Sequence, residues 1–457
     1  MENKNGVTLK HICELLVCIF YTWYFLPLCG ALFEKGMFKL LFFGCFAVGC
    51  VVLFLLNGIR INGVIVSIAT YMIFFSMLYI FGIGDAHRHI RISFTFWGTG
   101  LLFFGLLNES EQIRIGKYLL FLFVLTAITS SFGVLYDNTA ARTLSHAGAD
   151  DALQRSYALR NISSINLFQG LVYFVPIAIC FPKTKKQRFL GCCLLAVIFL
   201  VLLNASFTIS LIVYIVALSV SIMCTGDSRA RIIWSEVIFV TALILWINMA
   251  DILLLLSEVI DNYRITVRLR ELSALFSGGG LGSNIGMRWE HYSISIKTFL
   301  AHPFGVGAFY SYQPFENGIG YHSKLFDDLA RFGIFAILFY IVFFVGYYKR
   351  LKNEWSRVNC SRVAGIITLI YIMFLCLNLG FRSAEESVLS LYIMPILPRL
   401  IIQWRKGKCS NLKVMLIHED TVCYDASYLC GRTQNDGVDC QSNGRERSQS
   451  SPHNLLL

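Results

Sequence analysis

The chain has 457 residues, of which 56% are hydrophobic, and a mean hydropathy of +0.63. Its apolar residues come in unbroken blocks long enough to cross a bilayer, for which a helix needs about 20 residues, whereas a soluble domain disperses them with a helical or strand period. A soluble globular protein is thereby excluded, and the net charge of +11 does not indicate nucleic-acid binding, because Lys and Arg accumulate in the cytoplasmic loops of membrane proteins.

Apolar runs predict about twelve spanning helices. In chain order they are Ile12–Phe33, Met37–Leu56, Val64–Gly82, Ile92–Leu107, Tyr118–Tyr136, Ile165–Phe181, Phe189–Leu203, Ile209–Met223, Ile233–Leu256, Leu329–Tyr348, Arg362–Leu379 and Val388–Trp404. The expected fold is therefore all-α and polytopic, with a membrane domain over 1–404. The first run contains Glu14 and no small-residue cleavage site, so a cleavable signal peptide is not expected. Most of the 15 cysteines lie in apolar runs or the tail, where a thiol is a small hydrophobe, and disulfides are not expected.

Basic residues set the orientation. Arg60, Arg114, Lys117, Lys183, Lys185, Lys186, Arg188, Arg229, Arg231, Lys349, Arg350, Lys352, Arg357, Arg405, Lys406 and Lys408 all follow even-numbered spans. The positive-inside rule makes that face, and both termini, cytoplasmic. The tail 405–457 is polar and Ser/Asn/Gln-rich, and reads as a disordered cytoplasmic segment. Its Cys423, Cys430, Cys440 and His418 fit no standard zinc spacing.

One polar stretch, Arg264–Ala336, interrupts the apolar pattern, and its loop proper, about 257–324, falls on the external face. It retains Arg264, Arg268, Arg270 and Arg288, while the other long external connection, Asp137–Asn166, adds Arg142, Arg155 and Arg160. Arginines that oppose the topological bias suit an anionic ligand, since the planar guanidinium grips phosphate with two parallel hydrogen bonds. The alternative is that they sit among lipid head groups.

The sequence His322-Ser323, nine residues, then Gly333-Ile334-Phe335-Ala336 resembles the His-(Asn/Ser/Gln)-nine-residues-Gly pattern of the O-antigen polymerase and ligase superfamily. Arg288-Trp289 and Ala301-His302-Pro303-Phe304-Gly305-Val306-Gly307 also resemble that family's large external loop, and Arg268, ten intervening residues, then Gly279 resembles another spacing of such loops. The resemblance implies a glycosyltransferase of the inner membrane that joins oligosaccharide units carried on undecaprenyl pyrophosphate into O-antigen or capsular polysaccharide. Membrane lipids and a chain-length regulator protein are further expected partners. A ligase that transfers polysaccharide to lipid A core, or a flippase for lipid-linked saccharides, are the alternatives. A flippase should carry charges at mid-membrane depth, whereas here they gather in one external loop.

Within that reading His322 is the expected general base, with Asp327 or Asp328 a helical turn away to orient the ring. Arg288 is expected to stabilise the departing pyrophosphate. Arg264, Arg268, Arg270 and Arg160 are expected to bind pyrophosphate or saccharide. No cofactor and no metal is expected, since no carboxylate cage appears in the external loops.

Overall fold

The computed structural model describes residues 4–80, 90–91, 93–144, 150–182, 184–205, 208–225, 236, 248–259, 266–267, 269–270, 273–274, 277, 284–307, 318–378 and 384–404. Arg264, Arg268 with its spacing to Gly279, most of the expected span Ile233–Leu256, and the tail 405–457 lie outside these residues. The chain divides into two units, Met1–Gln403 and Trp404–Leu457, and the features below belong to the first.

Every regular element among the described residues is a helix. The first, α1 (Lys4–Phe25), stops at Leu26, whose extended backbone (φ −89°, ψ 115°) is what a following proline imposes. Pro27 then opens α2 (Pro27–Leu32), where its missing N–H is harmless. The expected span Ile12–Phe33 is thus two helices. α3 (Gly36–Asn57), α4 (Gly63–Ile80) and α5 (Phe94–Leu106) follow. α6 (Glu109–Tyr136) begins well ahead of the expected Tyr118, because Asn108 and Glu111 cap it reciprocally, at 3.0 Å and 2.8 Å.

Two short helices, α7 (Ala140–Thr143) and α8 (Asp151–Leu159), lead to α9 (Ile165–Cys180). After α10 (Lys185–Asn204) and α11 (Thr208–Thr225) come α12 (Met249–Val259) and α13 (Asn284–Ala301). The described chain ends with α14 (Lys324–Phe332), α15 (Ile334–Ser356), α16 (Ser361–Leu377) and α17 (Glu385–Trp404).

Among the described residues, five helices, α3, α6, α10, α15 and α17, are long and apolar enough to cross a membrane, and shorter apolar helices lie at Gly63–Met77, Phe94–Leu106, Ile165–Cys180, Ile209–Thr225 and Ser361–Leu377. α17 is the central one: 78% of its apolar window is buried, against 17% for α3. The expected span Leu329–Tyr348 begins later than its apolar content suggests. Residues up to Phe332 form the separate α14, and Gly333, at φ +57°, turns the chain into α15.

The helices have two chemically different ends. At one, Arg114 grips Glu14 at 2.8 and 2.5 Å, Lys10 approaches Glu111, and Arg399 holds Glu354 and reaches Glu109 at 3.3 Å. Arg350 donates to Gln112 and lies over the Phe104 ring. The last turn of α5 is widened, and side chains satisfy its carbonyls: Asn62 meets Phe104 O, and Gln112 meets Phe103 O and Leu107 O. Such replacement is what a helix ending away from water requires. The other end is closed by α13 and α14, tied to α16 by Tyr292 donating to Leu377 O at 2.8 Å and Lys324 N–H to Asn378 O at 2.8 Å.

Candidate functional site

α13 carries Arg288, His291, Tyr292 and Ser295 at helical spacing, so one face of a single helix presents all four. The segment 318–321 lies against it. Gly320 comes so close that a Cβ there would fall 2.0 Å from His291 O. Tyr321 turns the chain with φ +57°, a conformation unusual for a bulky residue and one that needs surrounding contacts to hold it.

This close approach brings His322 onto His291. The imidazoles stack with centroids 4.1 Å apart and planes 16° from parallel. His322 Nδ1 lies 3.1 Å from Gly320 O. A carbonyl only accepts, so Nδ1 carries the proton and Nε2 holds the lone pair of the neutral ring. Burial pushes His322 below its ordinary 6.5; the Gly320 hydrogen bond opposes the shift, and His291 and Arg288 add to it. His291 is pushed down by burial too, against the opposing charge of Glu290. Two neutral rings can stack face to face where two imidazolium ions would repel. The charge of Arg288 acts on both rings and on the Tyr292 phenol.

α14 continues the site. Ser323 caps it, accepting from Phe326 N–H at 3.1 Å. Lys324, Asp327, Asp328 and Arg331 recur at i, i+3, i+4 and i+7, and all four are buried. A soluble helix usually turns its apolar stripe inward; α14 turns its charged one. Asp328 accepts from Lys324 and from Tyr340 (2.7 Å) and meets Arg331 at 3.5 Å. Asp327 Oδ1 accepts from the Ser295 hydroxyl at 2.7 Å and from Tyr321 N–H at 3.1 Å, while Oδ2 has no hydrogen-bond partner among the described residues. Burial raises the Asp327 carboxyl to about 6, with the Arg331 charge opposing. Lys324 is pushed down by burial, against the pull of Asp328. The Arg331 guanidinium sits 5.1 Å from the Tyr321 ring centroid.

The two sequence fragments that carry the resemblance meet here. Val306 N–H donates to Ala330 O at 3.0 Å, Gly307 N–H to Arg331 O at 2.9 Å, and Ile334 N–H to Pro303 O at 2.9 Å. The loop His302–Gly307 thereby caps the C-terminal end of α14. Glycine is required on both sides: a Cβ on Gly305 would lie 2.1 Å from Arg331 O, and one on Gly333 would lie 1.9 Å from Pro303 O. His302 is exposed and serves the turn, its carbonyl accepting from Gly305 N–H at 2.8 Å.

Of the residues singled out from sequence, His322 and Arg288 come together. Arg270 does not join them: it is exposed, and its Nε lies 3.4 Å from Ser257 Oγ on α12. Arg160 stands exposed at the end of α8 beside Tyr157, with no hydrogen bond or ion pair to the His322 site among the described residues. Neither Asp327 nor Asp328 hydrogen-bonds the His322 ring; the backbone carbonyl of Gly320 takes that place. Sequence reasoning singled out neither Ser295 nor His291. The repeat of polar groups at 288, 291, 292 and 295 was the signal that could have found them. No cluster of three or more His, Cys, Asp or Glu with metal-ligand geometry occurs among the described residues. The arrangement offers a neutral imidazole beside a fixed guanidinium, which suits proton acceptance next to developing negative charge. Neither a scan against protein-family models nor a search of the curated proteins returned a match.

Proposed function

We propose that the protein is a membrane glycosyltransferase that joins saccharide units carried on a polyprenyl pyrophosphate, in the manner of the O-antigen and capsule polymerases its loop motifs resemble. An acceptor hydroxyl attacks the anomeric carbon of the donor. The bond from that carbon to the pyrophosphate oxygen breaks, and its electron pair leaves with the pyrophosphate. His322 Nε2 takes the hydroxyl proton, and Arg288 stabilises the charge growing on the leaving group. The observation that supports this reading is the convergence of His322 and Arg288, far apart in sequence, on a stacked imidazole pair held neutral by burial.

The test is the fate of single repeat units in cells carrying His322→Ala or Arg288→Ala. Both variants should remain in the membrane and accumulate unextended units, with chain extension down at least about a hundredfold. Long chains from either variant would remove the assigned role. An assay offering lipid A core as acceptor separates polymerase from ligase chemistry.

A further inference from the structure

The Gly320–Tyr321 peptide group has a carboxylate at one end and an imidazole at the other. Its N–H donates to Asp327 Oδ1 at 3.1 Å, and its carbonyl faces His322 Nδ1 at 3.1 Å. The left-handed turn at Tyr321 (φ +57°) accompanies this arrangement, and the bare Cα of Gly320 lets the segment press against the backbone of α13. Ser295 holds both sides: its hydroxyl donates to Asp327 Oδ1 at 2.7 Å and accepts Gly320 N–H at 2.8 Å.

We propose that Asp327 is the positioning residue of His322 and acts through the Gly320–Tyr321 peptide rather than by touching the ring. An ionised carboxylate polarises the amide, so its oxygen becomes a stronger acceptor for Nδ1–H. That fixes the tautomer with Nε2 free and favours the imidazolium that forms when Nε2 takes a proton. The carboxyl does this without placing a charge on the imidazole stack. Direct contact is unnecessary because the amide has a donor at one end and an acceptor at the other.

Among the described residues, the charged and titratable groups around this relay are few. His322 faces His291 and Arg288 of α13, with Glu290 acting on His291. Asp327 faces Ser295 and Tyr292 of α13 and Lys324, Asp328 and Arg331 of its own helix. Tyr340 of α15 and Tyr71 of α4 act on Asp328, and Cys376 of α16 acts on Tyr292. Burial raises the Asp327 carboxyl to about 6, and the Arg331 charge, which favours the ionised form, opposes that shift.

The inference deepens the transferase reading, but its test does not use saccharide chemistry. Protein labelled with nitrogen-15 histidine is placed in lipid nanodiscs, and His322 is assigned by its loss in His322→Gln. Nitrogen shifts followed over pH 5 to 8 report tautomer and titration midpoint. The wild-type neutral ring is expected to carry its proton on Nδ1. Asp327→Asn keeps an acceptor for Ser295 and Tyr321 but deletes the charge, and should lower the His322 midpoint by about half to one unit. Ser295→Ala, which removes one donor to Asp327, should move it the same way by less. A wild-type ring protonated on Nε2, or a midpoint unmoved by Asp327→Asn, overturns the proposal. If the spectra come out as expected while His322→Ala still extends chains, the transferase reading fails and the relay stands.

Discussion

At one end of the bundle the buried arginine is neutralised by carboxylates: Arg399 meets Glu354 with two of its nitrogens and Glu109 with a third. At the other end Arg288 has no ion pair with a carboxylate among the described residues, and its charge falls on two imidazoles and a phenol. Asp327 there is held by a hydroxyl and an amide. The first arrangement fastens α15, α17 and the start of α6 in register. The second leaves a cation and a lone-pair nitrogen oriented but uncommitted, as a site for an anionic ligand needs. Charge alone therefore does not separate structural from functional ends. The partners do.

The comparison can be broken most severely at the hinge of the second end. Gly333→Val places a side chain on Pro303 O in a backbone conformation that β-branched residues avoid, so loop 302–307 cannot dock. It should abolish chain extension and lower stability by about 2 kcal/mol or more, read as earlier thermal unfolding in detergent. Arg399→Ala attacks the first end and strands Glu354 without its main partner. A loss of about 3 kcal/mol is expected, and Arg399→Met with Glu354→Leu should recover much of it. If Arg399→Ala left stability unchanged but stopped chain extension, the division into structural and functional ends would fall.

A finer variant is Arg288→Lys, which keeps the charge and removes the fork. Chain extension should drop about tenfold with unchanged unfolding temperature; equal activity would mean that a point charge suffices. The pH profile sharpens the picture further. His322 lies below 6.5, so the neutral base is present at pH 7, and Asp327 loses its charge as pH falls through about 6. Extension by purified protein should be flat from pH 7 to 8 and decline below about 6. A decline beginning above pH 7 would assign the proton step elsewhere. Arg160→Ala should have the smallest effect, less than about twofold on extension, since Arg160 is exposed and away from the His322 contacts.

Much of the fold was legible because membrane-crossing helices write themselves as apolar blocks. α3, α10 and α16 fall within a few residues of the runs that mark them. The breaks were less visible, although the residues that make them are plain in retrospect. Pro27 divides the first run, and the Asn108–Glu111 cap moves the start of α6 into polar sequence. In the site, His322 stood out by motif, and Arg288 by motif and as one of the arginines in a stretch expected to be external. Ser295 and Tyr321 did not, because an isolated Ser or Tyr in a polar stretch is ordinary.

By itself the sequence determined that the chain is helical, that it is built for a bilayer, and that one polar stretch collects cations and histidines. These properties follow from local hydropathy and charge, which each residue carries wherever it is placed. Only the tertiary structure decided that α14 turns its charged stripe inward, that Gly305 and Gly333 join two distant motif fragments, and that a peptide lies between Asp327 and His322. Those outcomes depend on which backbones come within 3 Å of one another, a property of packed pairs that no single stretch of chain encodes.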